Sequence, residues 1–234
     1  MLDEARIDLV GDAALVVQCG PPAEIEGAGD LLANRRAVAA SSALRDAAII
    51  GVCDIVPTIR TVGVHFDPLA IEPATLVRRI RNALASVIVP EITATGTPYE
   101  VPVVYGGAEG PDLCDVAAAA QLSEAEVIQR HAGRDYRVYM IGFSPGFAYL
   151  GPIDPMLRLP RRPQPRTAVA AGSVAIAGDY TAIYPTITPG GWHLIGRTSV
   201  RPFELGRERV SMFQPGDVVR FVPADRTLRA EGQP

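Results

Sequence analysis

The first third of the chain alternates short β-prone runs with stretches of helical spacing. Residues 6–10 (RIDLV) and 13–17 (AALVV) are apolar-rich runs joined at Gly11-Asp12, a dipeptide suited to a hairpin turn. Residues 34–45 are polar and alanine-rich, which predicts a helix. Residues 49–56 and 59–66 are again β-rich, broken at Pro57-Thr58 and closed by Asp67-Pro68. After Pro73, a favourable first helical residue, Leu76, Val77, Ile80, Leu84 and Val87 recur at helical spacing above an arginine-bearing outer face. The order strand, strand, helix, strand, strand, helix predicts a small α+β domain of ferredoxin-like character over residues 1–90.

Residues 91–98 read as a linker, and the pattern then changes. Residues 99–105 form a predicted strand, followed by helices over 112–121 and 123–131. Ser123-Glu124-Ala125-Glu126 is a capping box that marks the start of the second of these helices. From Tyr136 onward, β runs at 136–141, 168–177, 181–184, 192–195 and 218–222 are separated by Gly and Pro. Many short strands with closely spaced turn signals predict a closed β-barrel, placing the second domain at 99–234.

Composition narrows the possible chemistry. With 234 residues, 48% of them hydrophobic, the chain can bury a large core. The net charge is −4 and no block of like charge occurs, which argues against nucleic acid or an anionic membrane as the main partner. The N-terminal stretch is acidic and no apolar run approaches the ~20 residues of a membrane span, so a soluble cytoplasmic protein is expected. Cys19, Cys53 and Cys114 lack disulfide or zinc-site spacing. All 22 basic residues are arginine, which excludes Schiff-base chemistry, a lysine base and a Walker-A lysine. Three scattered histidines without a metalloprotease pattern predict no protein-bound catalytic metal.

Residues 142–146, GFSPG, spell the G-x-S-x-G of a nucleophile elbow. An elbow needs an N–H after the serine and a helix beyond it. Pro145 supplies no N–H, and residues 146–152 carry too many Gly and Pro breaks for a helix, so Ser144 is not read as a nucleophile. Arg166 follows Pro163-Gln164-Pro165, and its planar fork suits a carboxylate or phosphate, or else caps a surface loop. Gly190-Gly191-Trp192-His193 is either an anion-binding turn beside an imidazole or a hairpin with a half-buried Trp. Arg197 can face the same space. His65 reads as structural and His131, closing a capped helix, as an imidazolium favoured by the helix dipole. That leaves His193 as the candidate for proton transfer. Phe143 and Phe147 can either wall a pocket or fill the core, and the flanking Gly142 and Gly146 favour a loop that lines a pocket.

Taken together, residues 139–151, Pro165-Arg166-Thr167, Ala171-Gly172-Ser173-Val174, Ile183-Tyr184-Pro185, Pro189-Gly190-Gly191-Trp192 and Ile195-Gly196-Arg197-Thr198 resemble the KipI/PxpB family. This family is also known as allophanate hydrolase subunit 1 or carboxyltransferase domain subdomain A/B. Gly110-Pro111-Asp112-Leu113, Val64-His65-Phe66-Asp67-Pro68 and Pro215-Gly216-Asp217 extend the resemblance over nearly the whole chain. It implies a small α+β first domain, a cyclophilin-like β-barrel, and a role in an ATP-dependent 5-oxoprolinase that opens 5-oxo-L-proline to L-glutamate. ATP belongs there to the complex, with KipA/PxpC-type and LamB/YcsF-type partner subunits. Related members serve in urea carboxylase, and one inhibits a histidine kinase, so a carboxyltransferase subunit and a binding module stand as alternatives. On this basis Arg166, Arg197 and His193 are the expected catalytic residues. Phe143, Gly146, Phe147, Tyr184, Gly190, Gly191 and Trp192 are expected to line the site of a small acidic substrate. Tyr180, Ala175, Ala182 and Ala170 depart from residues common in the family.

Overall fold

A computed structural model describes residues 2, 5–20, 31–89 and 98–225. The chain divides into two compact units, with the described residues up to 89 in the first and those from 98 onward in the second. The linker expected at 91–98 lies outside the described residues except for Pro98.

In the first unit, β1 (Ile7–Val10) and β2 (Ala14–Gln18) form the expected hairpin, with Ile7 opposite Val17 and Val10 opposite Ala14. Gly11 takes the positive φ the turn requires. β3 (Val52–Pro57) and β4 (Thr61–Phe66) complete an antiparallel sheet of order β1-β2-β4-β3. Alternation in β2 and β4 turns Leu15, Val17, Val62, Val64 and Phe66 to one face. There they meet Ala37, Ala40 and Leu44 of α1 (Leu31–Asp46) and the i, i+4, i+8 stripe Leu76, Ile80, Leu84 of α2 (Pro73–Leu84). The predicted run at 49–56 begins as a turn, because Gly51 adopts φ +92° and β3 starts only at Val52.

The second unit opens with β5 (Tyr99–Tyr105), α3 (Leu113–Ala120) and α4 (Glu124–Ala132). The Ser123 hydroxyl accepts from the Glu126 N–H while the Glu126 carboxylate accepts from the Ser123 N–H, closing the expected capping box on α4. The strands that follow are β6 (Asp135–Ile141), β7 (Ala148–Gly151), β8 (Arg166–Val169), β9 (Ser173–Ala177), β10 (Tyr180–Ile183), β11 (Thr188–Gly190), β12 (His193–Arg197) and β13 (Val218–Pro223). Six of them close a seven-stranded barrel together with β5, in the order β10-β7-β6-β13-β5-β12-β9, with β9 pairing back onto β10. β8 and β11 pair separately as a ribbon. The architecture is therefore mixed α and β, with four α-helices and a closed barrel among the described residues.

Two sequence expectations change here. The run at 168–177 is two strands, not one. Gly172 sits at φ +80°, where an added Cβ would lie 2.3 Å from the Thr198 carbonyl oxygen, and the chain turns there from the ribbon into the barrel. Residues 148–151, hidden among Gly and Pro, form β7. A third correction concerns His131, which is fully buried rather than a solvated cation. Its Nδ1 lies 2.7 Å from the Tyr105 hydroxyl and its Nε2 2.9 Å from Thr181 Oγ1. Burial, with a smaller push from the Arg134 charge, lowers its pKa to about 3, so the ring is neutral.

Candidate functional site

The loop at 142–147 joins β6 to β7. Gly142 N–H donates to the Phe147 carbonyl (3.0 Å), and Phe147 N–H to the Ser144 carbonyl (3.0 Å), so the loop is a closed turn between strands. A strand, not a helix, follows it, and the buried Ser144 Oγ has no hydrogen-bond partner to act as its base. Both observations remove Ser144 as a nucleophile. The turn raises Phe143 to φ +69° with 63% of its surface exposed. Gly146 packs so tightly that an added Cβ would lie 2.5 Å from the Phe203 Cβ.

Phe147, in contrast, is the centre of a buried aromatic cluster. Its ring lies 5.2 Å from Tyr149, 5.2 Å from Tyr184 and 5.5 Å from Trp192, all edge-on. Of the four aromatics expected to line a pocket, Phe147, Tyr184 and Trp192 are core, and Phe143 alone reaches solvent. Burial raises the Tyr184 hydroxyl's pKa, against a hydrogen bond from the Trp192 backbone and the charges of Arg161 and Arg166. A Cβ on Gly190 would fall 2.3 Å from that hydroxyl, so glycine is what admits the close approach. The carbonyl of Gly191 accepts from the Arg162 N–H at 2.7 Å, which brings residues 160–162 against the glycine turn.

Arg166 opens β8, in register with Gly190 of β11. Its guanidinium is held by Asp112: Nη1 donates to Oδ2 at 2.9 Å and Nη2 to Oδ1 at 2.7 Å. Arg162 Nη1 donates to the same Oδ1 at 2.8 Å, and Leu194 N–H to Oδ2 at 2.7 Å. Burial of the Asp112 carboxyl pushes its pKa up, but the hydrogen bonds from Arg166 and Leu194 and the charges of both arginines outweigh it, and the pKa is lowered overall. Asp112 is held against β12 because its own N–H donates to the Leu194 carbonyl at 2.9 Å. Nearby, Gly110 lies so close to the strand that a Cβ would sit 2.1 Å from the Ile195 oxygen.

Arg197, at the other end of β12, donates from Nε to the Ala171 carbonyl at 3.2 Å, and its Nη1 lies 3.5 Å from Glu109 Oε2. Arg166 and Arg197 are thus both tied to acids on the segment just before α3. His193 is four residues from Arg197 along β12, ~13 Å at strand rise, so the imidazole belongs with the Arg162 and Arg166 end. His193 Nε2 lies 2.9 Å from the Pro160 carbonyl. A carbonyl only accepts, so in the neutral ring Nε2 carries the hydrogen and Nδ1 the lone pair. Nδ1 is buried without a hydrogen-bond partner.

Sequence reasoning missed Asp112, Arg162 and Glu109. Asp112 stands in the Gly110-Pro111-Asp112-Leu113 block, but its partners lie 50, 54 and 82 residues away along the chain. Among the described residues, no group of three or more His, Cys, Asp or Glu side chains could hold a metal. Likewise, no helix among them is long and apolar enough to cross a membrane.

Residues 5–213 match the model of the carboxyltransferase domain, subdomain C and D, rather than the A and B subdomains expected from the sequence. The chain is 38% identical over 225 residues to the 5-oxoprolinase B subunit of Escherichia coli O157:H7, covering 95% of this chain and 97% of that protein. It is 37% identical over 213 residues to the 5-oxoprolinase B subunit of Haemophilus influenzae, covering 91% and 95%. The crystal structure of TTHA0988 superposes with a TM-score of 0.76 at 38% identity, covering 91% of this chain, which spans 40% of that one. Kluyveromyces lactis urea carboxylase matches with a TM-score of 0.74 at 19% identity, over 96% of this chain and 22% of that one, a likeness of fold. The chain belongs to the carboxyltransferase domain, subdomain C and D, family.

Proposed function

We propose that this chain is the B subunit of an ATP-dependent 5-oxoprolinase, active with partner subunits of the KipA/PxpC and LamB/YcsF types. The observation that carries this reading is the 38% identity to a 5-oxoprolinase B subunit over 97% of that protein's length. The strand and helix order of the first unit fits a ferredoxin-like domain, and the seven-stranded closed barrel fits a cyclophilin-like one. In this reading ATP is used by the complex; the chain contains no lysine, so an ordinary Walker-A loop in this subunit does not hold it.

Opening a lactam adds a water oxygen to the ring carbonyl, breaks the C–N bond and leaves a proton on the departing nitrogen. In this reading, the Arg166 and Arg162 guanidiniums hold the substrate carboxylate through donors not taken by Asp112. The Gly190-Gly191 backbone steadies the oxyanion, and the His193 Nδ1 lone pair takes the water's proton once the guest displaces its cover. Phe143 forms the exposed wall, and Arg197, paired with Glu109, borders the site.

The test is reconstitution with the two partner subunits and measurement of ADP and glutamate release, with 5-oxoproline, urea and allophanate offered side by side. Release with 5-oxoproline alone is the expected outcome. Release with urea or allophanate and none with 5-oxoproline would replace this reading with that of a urea carboxylase-type subunit.

A further inference from the structure

We infer that Asp112 is a positioning residue that sets Arg162 and Arg166 as a fixed guanidinium pair with one net positive charge, matched to a guest bearing a single carboxylate. The inference rests on the functional reading above. The acceptor sites of the Asp112 carboxylate are all taken. A carboxylate offers about four, and on Asp112 four donors occupy them: Arg166 Nη1 and Nη2, Arg162 Nη1 and Leu194 N–H. With only 2% of its surface exposed, Asp112 has no further role open to it as a base or ligand. Its two parallel bonds to Arg166 fix the plane of that guanidinium, as a single bond would not.

The charges then follow. Within the Asp112 cluster two guanidiniums and one carboxylate leave one positive charge beside His193; Arg161, next along the chain, adds a charge that is exposed and screened by solvent, and Arg197 is compensated by Glu109. Asp112 also exchanges backbone and side-chain bonds with Leu194, the residue after His193, so the same carboxylate fixes the strand that carries the imidazole.

The experiment uses the reconstituted complex with Arg166→Ala, Asp112→Asn and the double variant. Arg166→Ala is expected to lower kcat/KM on the order of a hundredfold. Added guanidinium ion, docking on the vacated Asp112 fork, should restore part of the loss in Arg166→Ala and none in the double variant. Asp112→Asn removes a charge at nearly constant shape, so binding should shift from cyclopentanecarboxylate, with one charge, towards succinate, with two. Equal guanidinium rescue of the single and double variants would overturn the inference, as would an unchanged preference between the two acids. If Asp112→Asn does not fold, Arg166→Ala decides: rescue by guanidinium but not by tetramethylammonium supports the fork, and rescue by both overturns it. If the wild-type complex shows no turnover of 5-oxoproline, the functional reading fails, and calorimetric binding of the two acids to wild type and Asp112→Asn still tests the charge match.

Discussion

His131 and Asp112 are two ionisable side chains almost wholly removed from solvent in the same barrel unit, and the fold treats them in opposite ways. His131 faces the Tyr105 and Thr181 hydroxyls and the Phe221 ring, 4.6 Å away, with no carboxylate among these partners. With nothing to repay desolvation, it stays neutral and its pKa falls to about 3. Asp112 meets two guanidiniums and a backbone N–H, and its pKa moves down, towards the charged form. Burial alone does not decide the state of a buried group; the charge and donors of its neighbours do. The neutral centre ties α4 to the barrel, and the charged one holds two arginines beside the glycine turn.

The largest effect should come from dismantling the charged centre. Arg166→Ala leaves the Asp112 carboxylate with half of its donors, and chemical denaturation should find a loss of about 1.5–3 kcal/mol. A loss below about 1 kcal/mol would put Asp112 in the class of surface ion pairs. The neutral centre is distinguished by pH. Between about 3 and 6.5 the unfolded chain protonates His131 and the folded chain does not, so unfolded molecules bind more protons and stability falls with acidification. The expected slope is about 1.4 kcal/mol per pH unit, and His131→Gln should flatten it. The Asp112 pKa is lowered too, but towards its charged form: its contribution is present above the ordinary carboxyl range and lost as pH falls through its lowered folded value. Titration of unfolding free energy between pH 5 and 6 should therefore respond to the His131 substitution and not to Asp112→Asn.

Smaller effects refine the contrast. Ser123→Ala removes the cap of the helix that carries His131 and should cost about 1 kcal/mol without altering the pH slope. A changed slope would mean that the cap positions the imidazole. Phe143→Ala should change stability by no more than about 0.5 kcal/mol, because the ring is largely exposed, while lowering turnover of the complex. Unchanged turnover would remove Phe143 from the site.

Local chemistry was legible where neighbours in sequence settle it. Pro73 starts α2, Ser123 and Glu126 cap α4, Gly11 turns the first hairpin, and β5 spans the predicted residues. β7 was not legible, because its Gly and Pro flanks read as loop and only pairing with β6 and β10 makes it a strand. Arg166 was recognised by residue type, yet its fork is occupied by an acid 54 residues away. Phe147, Tyr184 and Trp192 had the right chemistry for a pocket wall, and packing against one another made them core.

The order of elements, the lack of lysine chemistry and the unsuitability of Ser144 follow from the residues in line, because each depends on residue type or on bonds and sterics within a few positions. Which carboxylate meets which arginine, which histidine is neutral and where the net positive charge lies are settled only when the strands come together. Those outcomes depend on desolvation and on distances across strands, which chain order does not contain.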